Sequence, residues 1–383
     1  MSLRRAIVEA NPREFNVTEF CRMHGVSTWF FWDLRRRHAL EGDVVLEPKS
    51  RAPHHSPNQT PLWVEDLLVE TRKYLDDLGA DSGAGSIWSY LTEIGKFAEC
   101  PSESTIWRIL VDRGLIVPQP DKAPKSTKSF NAERANECWA LDDTGWQLAD
   151  GTEVKILNVI DDHSRLCVAS TAIAGACTGT ATLAALAAAA PFVGWPRRIW
   201  TDNARAFRLT LAGALEPLGI VASHTRPYHP NSNGKIERFH QTAKKWLAKH
   251  PADSLDELQH HLDAFRDYYN TKRPHRGINR QIPANVWTTA PKTGPDNSAL
   301  TTPTAVYTTT VHDSRAFAGP YAITIGAAHN GQQALTIITG TTCHVFVNGH
   351  LARQLTVDPT RRSQPYKIRP TTTVTEREDP RHA

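Results

Sequence analysis

Residues 136–175 hold three strand-like runs in quick succession, CWALDDTGWQLA, EVKILNVIDD and RLCVASTA, separated by Asp-Gly and Asp-His-Ser turn signals. That spacing is the signature of an antiparallel meander. Strand and helix then alternate: an Ala/Leu-rich helix at 179–190, the strand RRIWTD, a helix over 206–218, the strand IVASHT, and helices at 233–249 and 254–270. A meander that continues as strand–helix alternation has few ways to bury its apolar faces. The expectation is an α/β domain over 136–290 with a mixed, five-stranded central sheet.

The flanks read differently. At 383 residues the chain can support several cores. Within residues 1–48, Asn16 and Glu19 have capping-box spacing, and Val17, Phe20 and Cys21 recur at helical spacing. Gly25 breaks that run and Ser27 can cap a second helix carrying Phe30, Phe31 and Leu34 inward. Two short helices around a tight turn outline a helix-turn-helix, with Arg35, Arg36 and Arg37 at the far end. Residues 49–61 read as a linker. A second helical unit over 62–117 places Ile87, Tyr90, Leu91 and Ile94 on one face; Pro101-Ser102 opens a further helix with Ile106, Ile109 and Leu110 inward, ended by Gly114. Residues 118–135 form another linker. Thr, Val and Gly dominate beyond 291, so 300–361 reads as a small all-β barrel or sandwich and 362–383 as a disordered tail.

Composition excludes several classes. A net charge of +4 implies nucleic-acid binding only if the basic residues cluster. The six cysteines form no CxxC pair, which argues against a zinc site or a disulfide framework and fits a reducing compartment. The Ala-rich stretch 181–193 is too short to span a bilayer, and no apolar run follows the initial charges. The expectation is a soluble cytoplasmic protein without membrane or nucleotide partners. No G-x-S-x-G occurs, and His54-His55 and His260-His261 lack partners at ligand spacing.

Three carboxylates stand out. Asp142 sits inside a strand among core-facing residues, Asp202 ends the strand RRIWTD at a sheet's carboxyl edge, and Glu237 lies in the first turns of a helix. Hard divalent cations want such oxygen ligands, and phosphodiester transfer needs those cations because charge develops on both the attacking and leaving oxygens. Lys235, Arg238, Lys244 and Lys245 flank Glu237 and suit a grip on phosphates. On these residues alone the alternatives stay open: Asp143 rivals Asp142, Asp202 fits a turn or cap, and Glu237 fits a surface ion pair. Asp161, Asp162, His163, Ser164 and Arg165 read as a hairpin turn held by its own side chains, while His229 suits a loop or DNA role equally.

The segments WALDDT, TDNARAF, SHTRPYHPNSNGKIERFHQTAKKWL and YYNTKRPHRGINRQIPANVW, in this order, resemble bacterial insertion-sequence DDE transposases with a retroviral-integrase-like core. The resemblance covers about residues 136–290. It implies a ribonuclease-H-like core whose catalytic and metal-binding triad falls on Asp142, Asp202 and Glu237; the pattern Trp139-x-x-Asp142-x-Thr144 favours Asp142 over Asp143. It also implies two Mg²⁺ ions, with Mn²⁺ as a substitute, and DNA as partner: the terminal inverted repeats of the element and a target. DNA contacts then extend to Arg273 and Arg276, and the chain is expected to act as a homo-oligomer. The helical units become terminal-repeat binders. Ala204 stands where the family commonly has Gly, a departure that leaves the carboxylates intact. A nuclease on the same fold and a silent, transposase-derived DNA-binding protein are the rival readings.

Overall fold

The computed structural model describes residues 2–47, 59–95, 97–117, 131–202, 207–224, 234–295 and 303–366. His54, His55, Ala204, His229 and most of the expected tail lie outside the described residues. The chain divides into two units, Met1–Pro61 and Leu62–Ala383.

The first unit has helices α1 (Leu3–Glu9), α2 (Val17–Met23) and α3 (Thr28–Glu41). Asn16 Oδ1 accepts the Thr18 and Glu19 N–H groups, and Ser27 Oγ accepts that of Phe30, so Asn16 and Ser27 each cap their helix. Gly25, at φ 63°, turns the chain between them. Two helices were expected, and the described residues of this unit hold three α-helices. The seven residues of α1 are too few to show a helical period, yet its Ile7 is fully buried with Cys21, Phe31, Leu34 and Val45.

The second unit opens with α4 (Leu62–Asp77), α5 (Ala84–Ser89) and α6 (Glu103–Asp112), whose inner faces meet at Leu68, Leu75, Ile87, Leu91, Ile106 and Leu110. A wide turn over Tyr90–Ile94 extends α5. The sheet follows: β1 (Trp139–Gln147), β2 (Glu153–Asp161), β3 (Cys167–Ala174), β4 (Arg198–Thr201) and β5 (Val221–His224), in the order β3-β2-β1-β4-β5. The first three strands are antiparallel, and β1, β4 and β5 run parallel, giving the expected mixed sheet.

Alternation along β1 and β2 sends residues to two cores. Trp139, Leu141, Leu157 and Val159 pack against α7 (Gly179–Val193) and α8 (Ala212–Leu215). On the opposite face, Ala140, Val154 and Ile156 pack against α9 (Gly234–Leu247) and α10 (Leu255–Thr271). The helix expected over 206–218 is interrupted: a wide turn over Phe207–Leu211 precedes the four-residue α8, then a 3₁₀ turn containing Pro217. Proline lacks the N–H that would continue the helical ladder. A short α11 (Pro283–Thr289) closes the α/β part.

Residues 304–364 form strands β6 (Thr304–Thr310), β7 (Arg315–Ala318), β8 (Tyr321–Thr324), β9 (Gln333–Thr339), β10 (Thr342–Val347), β11 (His350–Thr356) and β12 (Ser363–Gln364). They make a four-stranded sheet β11-β10-β9-β6 and a three-stranded sheet β12-β8-β7. Asn348 and Gly349, both at positive φ, form the tight hairpin turn between β10 and β11. A Cβ on Gly349 would lie 2.7 Å from the Thr180 hydroxyl of α7, so glycine also permits a close approach there. Ile337 and Phe346 continue the α7/α8 core, so the β-rich part is seated on the α/β part.

Candidate active site

Strand β1 sets the first carboxylate. Asp142 pairs with Asn158 of β2 and, by alternation, shares the face of Ala140, towards α9. Asp143 therefore lies on the other face, where its carboxylate pairs with Lys155 at 2.9 Å. Its backbone N–H donates to Asp142 Oδ1 at 2.9 Å. Asp202 is the first residue beyond β4, the parallel neighbour of β1, and Glu237 is exposed in the first turn of α9.

These three charges act on one another. Burial, chiefly, with the neighbouring charges of Asp202, Asp143 and Glu237, pushes the Asp142 carboxyl from its ordinary 3.8 up to about 6; the Asp143 N–H opposes the shift. A half-buried carboxylate repelled by three others is stabilised by any cation placed among them. All-oxygen donors of this kind fit hard divalent ions such as Mg²⁺. Among the described residues no three His, Cys, Asp or Glu side chains are gathered at metal-ligand distance, so Asp142, Asp202 and Glu237 share a field rather than a ready-made cage.

The start of α9 is fixed by its own ion pair. Lys235 Nζ donates to Asp162 Oδ1 at 2.6 Å and to Asn131 Oδ1 at 2.9 Å. Asp162 belongs to the turn after β2, which is tied by its own side chains as the sequence suggested: Asp161 Oδ1 accepts the Ser164 N–H and hydroxyl at 2.8 and 2.7 Å, and Arg165 donates to the Asp162 carbonyl. The turn thus serves Glu237 indirectly, by holding the residue two positions before it.

His240 was not singled out by sequence. One turn beyond Glu237, it is buried with Nδ1 4.0 Å from Asp142 Oδ2. Burial and then Lys244 lower its pKa to about 4, so the ring is neutral at physiological pH. Helical spacing from Glu237 was the available signal.

The expected DNA-contacting cations separate into two groups. Arg36, Arg238, Lys244 and Arg276 are exposed. Arg35 instead donates to the Ile7 and Val8 carbonyls, both at 2.9 Å, and Arg37 pairs with Asp33 at 2.9 Å. Lys245 donates to the Ala80 carbonyl at 2.5 Å, and Arg273 pairs with Asp81 at 2.9 and 2.5 Å. Arg280, which the sequence reading passed over, pairs with Glu103 at 2.5 Å. Together Arg238, Lys245, Arg273, Arg276 and Arg280 line a cleft of about 830 Å³ between the α4–α6 helices and the α9–α10 side of the sheet.

Comparison with known proteins bears on this arrangement. The family described as "Integrase core domain" matches residues 132–230 and again 218–283. Residues 132–283 thus resemble an integrase core. The core is similar to an uncharacterized 39.2 kDa protein of insertion element IS476 from Xanthomonas euvesicatoria, 30% identical over 186 residues that cover 47% of this chain and 53% of that protein. It is also similar to a 31.7 kDa protein of insertion element IS407 from Burkholderia multivorans, 29% identical over 39% of this chain and 54% of that one. The matches therefore span about half the length of these relatives. Among solved structures, the HTLV-2 integrase catalytic core domain in complex with magnesium aligns over 40% of this chain and 97% of its own, at 18% identity and a TM-score of 0.33. Among the described residues no helix is long and apolar enough to cross a membrane.

Proposed function

We propose that this integrase core belongs to a DDE-type DNA transposase. The reading rests on one observation above the others: burial, and then the charges of Asp202, Asp143 and Glu237, push the Asp142 carboxyl up to about 6, and Asp142, Asp202 and Glu237 are the positions that the sequence motifs single out. Perturbed carboxylates of this kind cluster at functional sites. Asp142, Asp202 and Glu237 would hold two Mg²⁺ ions, which when bound polarise the phosphate and stabilise charge on the entering and leaving oxygens.

The chain's own groups supply position. The β1–β4 edge presents two carboxylates, α9 presents the third, and Lys235 fixes the start of α9 against Asp162. Arg238, Lys244 and Arg276 are placed to take backbone phosphates. In the first step water cleaves a phosphodiester at the element end and leaves a free 3′-hydroxyl. In the second, that hydroxyl attacks a target phosphodiester; a new phosphodiester forms and the target strand leaves with its own 3′-hydroxyl. Two copies of the chain would act together, one at each element end.

The test is a gel assay on labelled DNA carrying the inverted repeats that flank the coding sequence, with Mg²⁺, Mn²⁺ or EDTA. Metal-dependent nicking and joined products, both lost in Asp202→Asn, are expected. Nicking without joining would mark a nuclease, and end binding without cleavage in any metal a non-catalytic DNA-binding protein.

A further inference from the structure

The two helical parts of the chain repeat one local design. Helix α3 is opened by Ser27, whose Oγ accepts the Phe30 N–H at 3.1 Å; helix α6 is opened by Ser102, whose Oγ accepts the Thr105 N–H at 3.4 Å. Counted from each serine, the fourth residue is buried in both helices (Phe31, Ile106), and so is the seventh (Leu34, Ile109). The fifth is tryptophan in both. Trp32 and Trp107 remain 51% and 47% exposed, and Trp29, one turn before Trp32, is 72% exposed.

An indole left in water at one exposed position would be unremarkable. The same residue at the same place in two separately packed helices is a pattern, and tryptophan is the side chain that contributes most when a surface closes on a partner. The charges beside it identify that partner. Arg36, one turn after Trp32, has 74% of its side chain exposed, and Arg108 next to Trp107 is exposed. Two of the nearby carboxylates are engaged, Asp33 by Arg36 and Arg37 and Glu103 by Arg280, while Asp112, one turn after Arg108, is exposed. Each helix thus offers an apolar ring flanked by a cation, which suits a polyanion with apolar groups on its floor. The major groove of duplex DNA is such a surface: it admits a helix, lines its rims with phosphates and displays thymine methyl groups.

We propose that Trp32, with Trp29 and Arg36, and Trp107, with Arg108, are the sequence-reading groups of the two helical parts, each tryptophan packing on thymine methyls in a major groove. The proposal rests on the transposase reading, which requires that element ends be told from other DNA. Of the arginine triplet it keeps only Arg36 in the reading role, since Arg35 and Arg37 are occupied within the first unit.

The experiment is a selection by the full chain from a pool of duplexes with a random core, followed by sequencing of the bound fraction. The wild-type chain is expected to enrich a two-part site rich in T·A pairs. Trp32→Ala should erase one part and Trp107→Ala the other, each with about a tenfold loss of affinity for the enriched site and unchanged binding to unselected DNA. Trp32→Phe and Trp107→Phe, which keep an apolar ring, should retain the motif. Both alanine variants enriching the wild-type motif unchanged would overturn the assignment, as would wild-type binding that enriches no motif. Failure of the wild-type chain to bind any DNA would instead remove the transposase reading on which the proposal stands.

Discussion

Asp142 and Asp202 stand at the same level of two adjacent parallel strands. The β1–β4 register joins Trp139 to Ile199 and Ala140 to Trp200, and the same offset carried two residues further sets Asp142 opposite Asp202. In a parallel pair, residues at one level face the same way. Both carboxylates therefore leave the sheet on the face that packs against α9, where Glu237 sits. Burial first, and then the charge of Asp202 at the same level, push the Asp142 carboxyl up to about 6.

That shift has a definite stability signature. Because the folded pKa of Asp142 is raised from 3.8 to about 6, the folded state is favoured where Asp142 is protonated and loses that advantage as the pH rises through about 6. About two pKa units would correspond to about 3 kcal/mol. With 22% of the side chain still exposed, roughly 1–2 kcal/mol is the expected size. Asp142→Asn should therefore be more stable than the wild-type chain at pH 8 in EDTA by about that amount, with the gap narrowing between pH 6 and pH 4. Urea midpoints at the two ends of that window check it; parallel curves at every pH would show that the crowding is not felt.

Divalent cations should act in the opposite sense. If Asp142, Asp202 and Glu237 share a cation, Mg²⁺ or Mn²⁺ binds only the folded chain and raises its thermal midpoint, by about 2–4 °C for each ~1 kcal/mol of binding gained. Asp202→Asn and Glu237→Gln should each remove that increment without lowering the midpoint in EDTA. Differential scanning fluorimetry across a metal titration reads this independently of catalysis. An undiminished increment in both variants would place the bound ion elsewhere.

Lys235 offers a test of position rather than of chemistry. Its pair with Asp162 is only 2.6 Å long, and Asp162 is 6% exposed, so removing the ammonium strands a buried carboxylate. Arg165 remains 3.3 Å away and compensates in part. Lys235→Ala should cost about 2 kcal/mol, below the range for an entirely unpaired buried charge. It should also lower strand cleavage through a displaced Glu237, while the affinity for DNA falls little. Denaturant unfolding and anisotropy on labelled duplex separate the two effects; a large loss of affinity with normal cleavage of bound DNA would make Lys235 a phosphate contact instead.

Local pattern carried most of this architecture. Alternation in WALDDT and EVKILNVIDD gives β1 and β2, Asn16 and Ser27 cap α2 and α3, and the strand-end position of Asp202 follows from RRIWTD. What local pattern lacks is the partner of a side chain. Nothing near Lys245 or Arg273 announces Ala80 or Asp81, which lie 165 and 192 residues away along the chain. Five cations assigned to DNA from the sequence (Arg35, Arg37, Lys235, Lys245 and Arg273) thus have other partners, and His240 escaped notice because its neighbour Asp142 belongs to a distant strand.

The pairing of the α4–α6 helices with the α9–α10 side has a consequence for DNA affinity. Asp81 occupies Arg273, and Asp76 lies 3.4 Å from Lys245 and 3.7 Å from Lys249. Carboxylates on these cations compete with phosphates for the same charges, and both attractions weaken with salt. The double substitution Asp76→Asn with Asp81→Asn keeps the shapes and one acceptor oxygen at each position, but removes one negative charge from the cleft and a second from beside Lys245 and Lys249. It should loosen the helical part slightly, by about 1 kcal/mol, because Arg273 is mostly buried and loses its counter-charge. Affinity for duplex DNA should nonetheless rise, and the slope of log affinity against log salt should steepen by about one to two phosphates' worth. Anisotropy titrations between low and physiological salt measure both quantities. An unchanged slope would mean that Lys245 and Arg273 lie off the path of the DNA, and the cations that matter would then be the exposed Arg238, Lys244 and Arg276.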